Sequence, residues 1–285
     1  MEVYNSPVDD WDVQVKTDDS PLTRADLAAN DILCQQLSEL YPDIPIVSEE
    51  NKMVDYEQRK SYERFFCIDP VDGTKEFIKR NGQFTVNVGL CDRGVPVMGV
   101  VGVPAAELPR TYFAAEGMGA FVETDADKRR TPIKCRSFSE EDEGLTIVAS
   151  ASHNNPATDA FISKYRNCST TSMGSSLKLL LVAEGSADVY PRLAPTCEWD
   201  TCASHAIVRA AGGEVLQLEG GKECSPGMPL AYNKPHPLNP FFVVYGRRVD
   251  RFRPTFATRC LLVVGAVAAA ASATAMIYQR SRAKT

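Results

Sequence analysis

This sequence has no CxxC pair, only three histidines and no apolar segment at its start. The first two gaps remove the usual spacing of a zinc site. Nine cysteines, an odd number, do not make a secreted disulfide framework either, and Cys197 and Cys202 are the nearest two. Reduced thiols in a cytosolic protein are the expectation. Residues 1–12 are polar and acidic, which excludes a signal peptide there. Excess basic charge is missing as well, and the net charge of -6 argues against a nucleic-acid partner. An anionic small molecule stays open, because a divalent cation reverses a local field. What is present is ordinary: 44% hydrophobic and 24% charged residues, which favours an ordered chain with a sizeable core over disorder.

Residues 1–20 read as polar loop. Ser20-Pro21-Leu22-Thr23 leads into a helical pattern through Leu27, Ile32, Leu33, Leu37 and Leu40, which stops at Tyr41-Pro42. Residues 44–48 are β-prone, and 51–63 are polar loop with some helix. Residues 65–68 predict a buried strand that ends at Asp69-Pro70. Asp92-Arg93-Gly94, between apolar runs at 85–91 and 95–103, signals a hairpin. Further strands are expected at 111–115 and 119–123. The charged stretch 123–143 reads as a solvated excursion or boundary. Beyond it the pattern alternates: strand 145–150, helix 156–165, helix 177–184, strand 187–190, helix 200–211. The expected fold is α/β, with an N-terminal α+β half at 1–143 and a C-terminal α/β half at 144–250.

The most informative stretch is Asp69-Pro70-Val71-Asp72-Gly73-Thr74. Two carboxylates three residues apart flank a Pro turn at a strand end. Such a turn can aim both carboxylates and a backbone carbonyl at one point, a donor set of hard oxygens suited to Mg²⁺. Gly73 permits close backbone approach. A helix opening at Thr74 would put free N–H groups beside the metal. An isolated turn of this kind is more often a plain surface turn. Ser48-Glu49-Glu50 after a strand, Asp200 at a helix start and Asp26 in a first helical turn are each bland alone. All four together, in this order, are far less common by chance.

The string Asp69 to Phe77, with Ser-Glu-Glu upstream and Trp199-Asp200-Thr201…Ala211-Gly212-Gly213 downstream, resembles the inositol monophosphatase-like superfamily. Finer strings are similar to its 3'(2'),5'-bisphosphate nucleotidases of the CysQ type. They are Ser20-Pro21-Leu22-Thr23-Arg24-Ala25-Asp26, Lys75 to Gly82, Gly174-Ser175-Ser176-Leu177-Lys178 and Val189-Tyr190-Pro191-Arg192. The likeness runs over residues 3–249. It implies a layered α/β phosphatase fold with the site between two halves. It also implies lithium-sensitive, Mg²⁺-dependent chemistry with two or three ions. Family members carry a helix ahead of the position matching Glu2-Val3-Tyr4, and the sequence given begins without it. No metal ligand is expected from that helix, although its loss would expose apolar surface.

By the same resemblance, Glu49, Asp69, Asp72 and Asp200 are metal-ligand positions, joined by the Val71 carbonyl. Thr74, paired with Glu49 or Asp26, would orient the attacking water. Gly73, Thr74, Ser175, Ser176, Lys178, Arg192, Asp200 and the loop residue His153 would hold the substrate. Lys75, Lys79 and Arg80 either steer anions or decorate a helix. The expected reaction is hydrolysis of adenosine 3',5'-bisphosphate to AMP and phosphate, with the phosphosulfate analogue open. Two rivals remain: an inositol phosphate phosphatase and a catalytically inactive nucleotide sensor. Intact carboxylate positions count against the sensor. The Ser-Ser-Leu-Lys and Tyr-Pro-Arg strings count against the inositol phosphate.

Residues 260–278 form an uncharged run with Arg259 before it and Arg280, Arg282 and Lys284 after it. As a helix it would span about 28 Å, close to a hydrocarbon core of about 30 Å. Alanine dominates, so its hydrophobicity is marginal. The reading is a C-terminal membrane anchor with the catalytic part facing the cytosol, a side favoured by Arg247, Arg248, Arg251 and Arg253. A soluble Ala-rich helix is the alternative.

Overall fold

The computed structural model describes residues 1–249 apart from 18, 151–154, 220–221 and 224–226. The chain opens with a single turn, α1 (Glu2–Asn5), and a 3-10 turn at Val8–Trp11. A small antiparallel hairpin, β1 (Gln14–Val15) and β2 (Pro21–Leu22), leads into α2 (Arg24–Leu40). Then come β3 (Ile46–Ser48), α3 (Tyr56–Arg59), β4 (Arg64–Asp72), α4 (Thr74–Ile78), β5 (Thr85–Asp92), β6 (Val95–Val103), β7 (Arg110–Ala115), β8 (Gly119–Thr124) and β9 (Arg130–Ile133). These seven strands, β3 to β9, form one sheet in sequence order. It is antiparallel except for the β3–β4 pair. Strand β5 alternates strictly between buried and half-buried residues, the period-2 pattern of a sheet that covers a core on one face.

Strand β10 (Ser137–Phe138) starts the rest of the chain. It is followed by β11 (Thr146–Ser150), α5 (Pro156–Ile162), β12 (Ser169–Met173), α6 (Leu177–Ala183), β13 (Val189–Arg192), α7 (Glu198–Ala210), β14 (Glu214–Glu219), β15 (Lys222–Glu223), β16 (Phe242–Tyr245) and β17 (Arg247–Arg248). A mixed six-stranded sheet has the order β12-β11-β13-β16-β14-β15, and β10 pairs with β17. Both sheets sit in the compact unit Met1–Arg248.

Helix α7 lies on the seven-stranded sheet over β4, β5 and β6. It can do so because Gly89 and Gly99 are cross-strand partners beneath it. A Cβ at Gly99 would stand 2.0 Å from the Ala203 carbonyl oxygen, and one at Gly89 would stand 2.4 Å from Cys202 Sγ. Helix backbone therefore meets sheet backbone at Gly99, and the Cys202 side chain rests directly on Gly89. Cys67, Cys91 and Cys202 fill the seam, fully buried, with 3.4 Å between the sulfurs of Cys91 and Cys202.

Four expectations change. Residues 1–20 are not simply loop: Trp11 is fully buried and packs with Tyr4, Phe77 and Phe84. The Arg80 guanidinium lies 4.8 Å from the Trp11 ring. Strand β4 does not stop at Asp69-Pro70. Pro70 has no N–H to give, so the ladder slips by one residue and pairing resumes at Asp72 with Thr85. The charged stretch 123–143 contains β9, paired with β8, and β10. Helix α7 begins at Glu198, two residues ahead of Asp200.

Candidate active site

Three separate elements deliver carboxylates to one point. The Glu49 N–H donates to the Ile68 carbonyl (3.1 Å), extending the β3–β4 pairing and setting Glu49 beside Asp69. Asp69 is buried in β4, and its Oδ1 accepts from the Val71 N–H at 3.1 Å. Asp200 stands in the first turn of α7, where its Oδ2 accepts from the Cys197 N–H (2.8 Å) and closes the helix start. One ligand oxygen each from Glu49, Asp69 and Asp200 lie within 4.8 Å of one another.

Within this trio only Glu49 has a cation beside it, Lys16. Burial pushes Asp69 well above the usual carboxylate range, and the charges of Glu49, Asp72 and Asp200 push it further. Burial, then the Asp72 charge, lifts Asp200 to about 8. Burial raises Glu49 too, against the pull of Lys16. Three hard-oxygen donors in mutual repulsion suit a divalent oxygen-seeking cation, so the residues present fit Mg²⁺.

Asp72 is held differently. Its Oδ2 accepts from the Ser175 hydroxyl (2.7 Å) and the Ser176 N–H (2.5 Å). The serines belong to a lattice that includes Thr85 and Asn87. Ser176 Oγ donates to Asn87 Oδ1 (2.8 Å), and Thr85 Oγ1 stands 2.6 Å from Ser175 Oγ and 2.8 Å from Ser176 Oγ. Ser175 has φ +55°, a left-handed turn that the short hydroxyl side chain tolerates because it is tied at both ends. Gly73, with φ +92°, caps α4, and a Cβ there would press on Gln83 O and Ser175 Cβ, each at 3.2 Å.

Thr74 opens α4, and its hydroxyl donates to Asp26 Oδ1 (3.1 Å) and also reaches the Val71 carbonyl (3.3 Å). Asp26 is buried. Its Oδ2 accepts from the Thr23 N–H (2.8 Å) and hydroxyl (2.6 Å), and burial raises its pKa despite those bonds. Of the two partners the sequence left open for Thr74, the hydrogen bond goes to Asp26.

A cavity of about 270 Å³ is lined by Asp72, Thr74, Ser175 and Asp200 together with Lys178, Tyr190 and Arg192. Lys178 is buried, with Nζ donating to the Ser175 carbonyl (2.6 Å). Burial lowers its pKa to about 8, with Arg192 adding repulsion and Asp72 opposing it. Arg192 donates one N–H to the Pro195 carbonyl (2.9 Å), and its Nε is buried without a partner among the described residues. An anionic oxygen is what that guanidinium lacks. His153 lies outside the described residues.

Lys16 was not anticipated. Its ammonium meets Glu49 Oε1 at 2.8 Å and Glu50 Oε1 at 2.6 Å. Burial opposes that charge, but the two carboxylates outweigh it and raise its pKa. The available signal was a lone lysine four residues before the Ser20-Pro21 string in an acidic stretch. Thr85 and Asn87 were missed as well, although polar residues at period 2 inside a buried strand mark a site-facing edge.

A profile of the inositol monophosphatase family matches residues 2–242. The chain belongs to the inositol monophosphatase family. Within it, the chain is 42% identical over 220 residues to the 3'(2'),5'-bisphosphate nucleotidase CysQ of Salmonella typhimurium, covering 77% of this chain and 85% of that one. It is 40% identical over 245 residues to CysQ of Escherichia coli K12, covering 86% and 92%. Among solved structures it is similar to CysQ from Bacteroides thetaiotaomicron, a bacterial member of the inositol monophosphatase family. That match has a TM-score of 0.72 and 43% identity over 87% of this chain and 92% of that one. The layered α/β architecture is that of the family.

Proposed function

We propose that this chain is a Mg²⁺-dependent 3'(2'),5'-bisphosphate nucleotidase that hydrolyses adenosine 3',5'-bisphosphate to AMP and phosphate. The observation that carries it is one cavity lined both by Asp72 and Asp200 and by two cations, Lys178 and Arg192, with Glu49 and Asp69 clustered on Asp200. The bisphosphate nucleotidases to which the chain is similar support the same reading. Its division at 143/144, with the site between the halves, belongs to this proposal.

Glu49, Asp69 and Asp200, with Asp72 and the Val71 carbonyl alongside, would hold two or three Mg²⁺ ions. When bound, the ions supply positive charge to the phosphoryl oxygens and acidify water. Every other task falls to the chain. Because Thr74 gives its hydroxyl proton to Asp26, its oxygen lone pairs are free to accept from a water and hold it in line with phosphorus. The proton leaving that water passes through Thr74 to Asp26, whose raised pKa equips it to take one. Ser175, Ser176 and Gly73 fix the wall against which the sugar phosphate rests. Lys178 and Arg192 grip the phosphate that is not cleaved, and that contact separates a bisphosphate from an inositol monophosphate.

The test is phosphate release from adenosine 3',5'-bisphosphate, its phosphosulfate analogue, AMP and inositol 1-phosphate, with and without Mg²⁺ and with added Li⁺. Preference for the bisphosphate, lost on chelation and inhibited by Li⁺, is expected. Preference for inositol phosphate overturns the substrate, and no Mg²⁺-dependent turnover of any of them overturns the enzyme.

Among the described residues no helix is long and apolar enough to cross a membrane. The run 260–278 lies outside the described residues. On its sequence alone we propose that it anchors the enzyme with the catalytic part on the cytosolic side. Carbonate extraction of the full chain, compared with a version ending at Arg259, decides this. Recovery of both in the soluble fraction removes the anchor.

A further inference from the structure

The carboxylate cluster already has one cation at Glu49, and the chain itself supplies it. Lys16 follows β1, and its Nζ lies 2.8 Å from Glu49 Oε1 and 2.6 Å from Glu50 Oε1. The Glu50 side chain is only 5% exposed, so it needs a permanent counter-charge. Glu49 belongs to the trio and is the member a metal would have to share. Lys16 is also tied to the cavity wall. Its N–H donates to the Ser20 carbonyl (2.8 Å) and its carbonyl accepts from the Asp19 N–H (3.1 Å), closing the turn of the hairpin. Ser20 and Pro21, at the far end of that turn, line the cavity. One short turn thus connects the ammonium on Glu49 to the wall beside the substrate.

An ammonium and a divalent cation held on one carboxylate repel each other, strongly so wherever solvent is partly excluded. We infer that Lys16 is a positioning residue. Its ammonium is the internal counter-cation of Glu49 in the metal-free protein, and a metal at Glu49 displaces it onto Glu50 alone. This rests on the metal-centre reading above. Lys16 then sets how tightly the Glu49 side binds its ion, and the hairpin turn reports whether the ion has arrived.

Isothermal titration of Mg²⁺ into substrate-free protein tests this without any turnover. Lys16→Met is expected to bind Mg²⁺ about tenfold more tightly than the native chain, the scale of one charge-assisted contact. Lys16→Arg, which keeps the charge, is expected to stay near native. A second readout needs no variant. In native protein labelled with ¹⁵N-lysine, the Lys16 ammonium resonance should shift as Mg²⁺ is added, with the same midpoint as the titration. Unchanged or weaker Mg²⁺ binding in Lys16→Met, or a Lys16 resonance that ignores saturating Mg²⁺, overturns the role of Lys16 and leaves the metal centre standing. A native chain that takes up no Mg²⁺ overturns both.

Discussion

The carboxylate cluster and the cavity wall next to it are built on opposite principles. In the cluster, Glu49, Asp69 and Asp200 are crowded beyond what their own hydrogen bonds can satisfy, and their pKa values rise as a result. Asp72 is their neighbour in sequence and in charge, yet Ser175 and Ser176 satisfy it. From there the lattice runs through Thr85 and Asn87, with each of those side chains bonded to a partner. The difference teaches where binding energy is held. The cluster is costly until a cation arrives and is a site for what it lacks. Asp72 is already satisfied and belongs to a rigid wall beside Lys178 and Arg192.

Four measurements break or sharpen that contrast. The largest effect is expected from Asp69→Asn, which should cut turnover by about 100-fold or more, the scale of losing a principal electrostatic stabiliser. A folded Asp69→Asn protein that works within tenfold of native would dissolve the distinction between cluster and wall. Next is Arg192→Ala, which removes a charged contact worth about 1.5–3 kcal/mol. KM for the bisphosphate should rise roughly 10- to 150-fold, while any residual hydrolysis of inositol 1-phosphate stays put. Equal losses on both substrates would mean Arg192 supports the fold, not the second phosphate.

The third measurement is the melting temperature without metal, followed from pH 5 to 8.5. Asp200 has a folded value of about 8 against an ordinary 3.8. A raised carboxylate stabilises while protonated, so its contribution is present at low pH and is lost as pH rises through about 8. The metal-free protein should melt progressively lower over this range, by about 2–4 °C per kcal/mol lost. Saturating Mg²⁺ should flatten the curve, and a metal-free curve that is flat or rising contradicts the crowding. The smallest effect is on substrate affinity in alkali. Lys178 is held near 8, so it is an ammonium below that pH and neutral above it. KM should climb above pH 8 by up to about tenfold per unit, and Lys178→Arg should remove the climb.

Much of this was legible because the carboxylates sit in local signals. Asp69 and Asp72 flank a Pro turn, Asp200 is at a helix start, and strands β5 to β8 announce themselves by period and by Asp92-Arg93-Gly94. What stayed hidden depends on partners far along the chain. The string Ser-Ser-Leu-Lys gave no sign that the Ser175 hydroxyl and the Ser176 N–H would take Asp72 (103 residues away for Ser175), which stands outside the tightest trio. Choosing Asp26 over Glu49 for Thr74 needed a distance. Strand β12 (Ser169–Met173) has no fully buried residue and no apolar run, so periodicity could not find it. Trp11 sits in an acidic segment whose composition says loop, and only Phe77 and Phe84 reveal why it is buried.

The paired glycines beneath α7 have a consequence for anyone who mutates this chain at every position. Gly89 and Gly99 touch neither carboxylate nor cavity lining, and their neighbours across the seam are Cys202 and Ala203. Yet any larger residue at either would lift the helix that presents Asp200 away from the strand that presents Asp69. In a saturation screen scored by activity, both columns should be as intolerant as the ligand positions. A map drawn from that screen would place two catalytic residues where there are none. Scoring the same library for abundance as well separates the two kinds of intolerance: glycine variants should fail both assays, whereas Asp69→Asn should fail only the first.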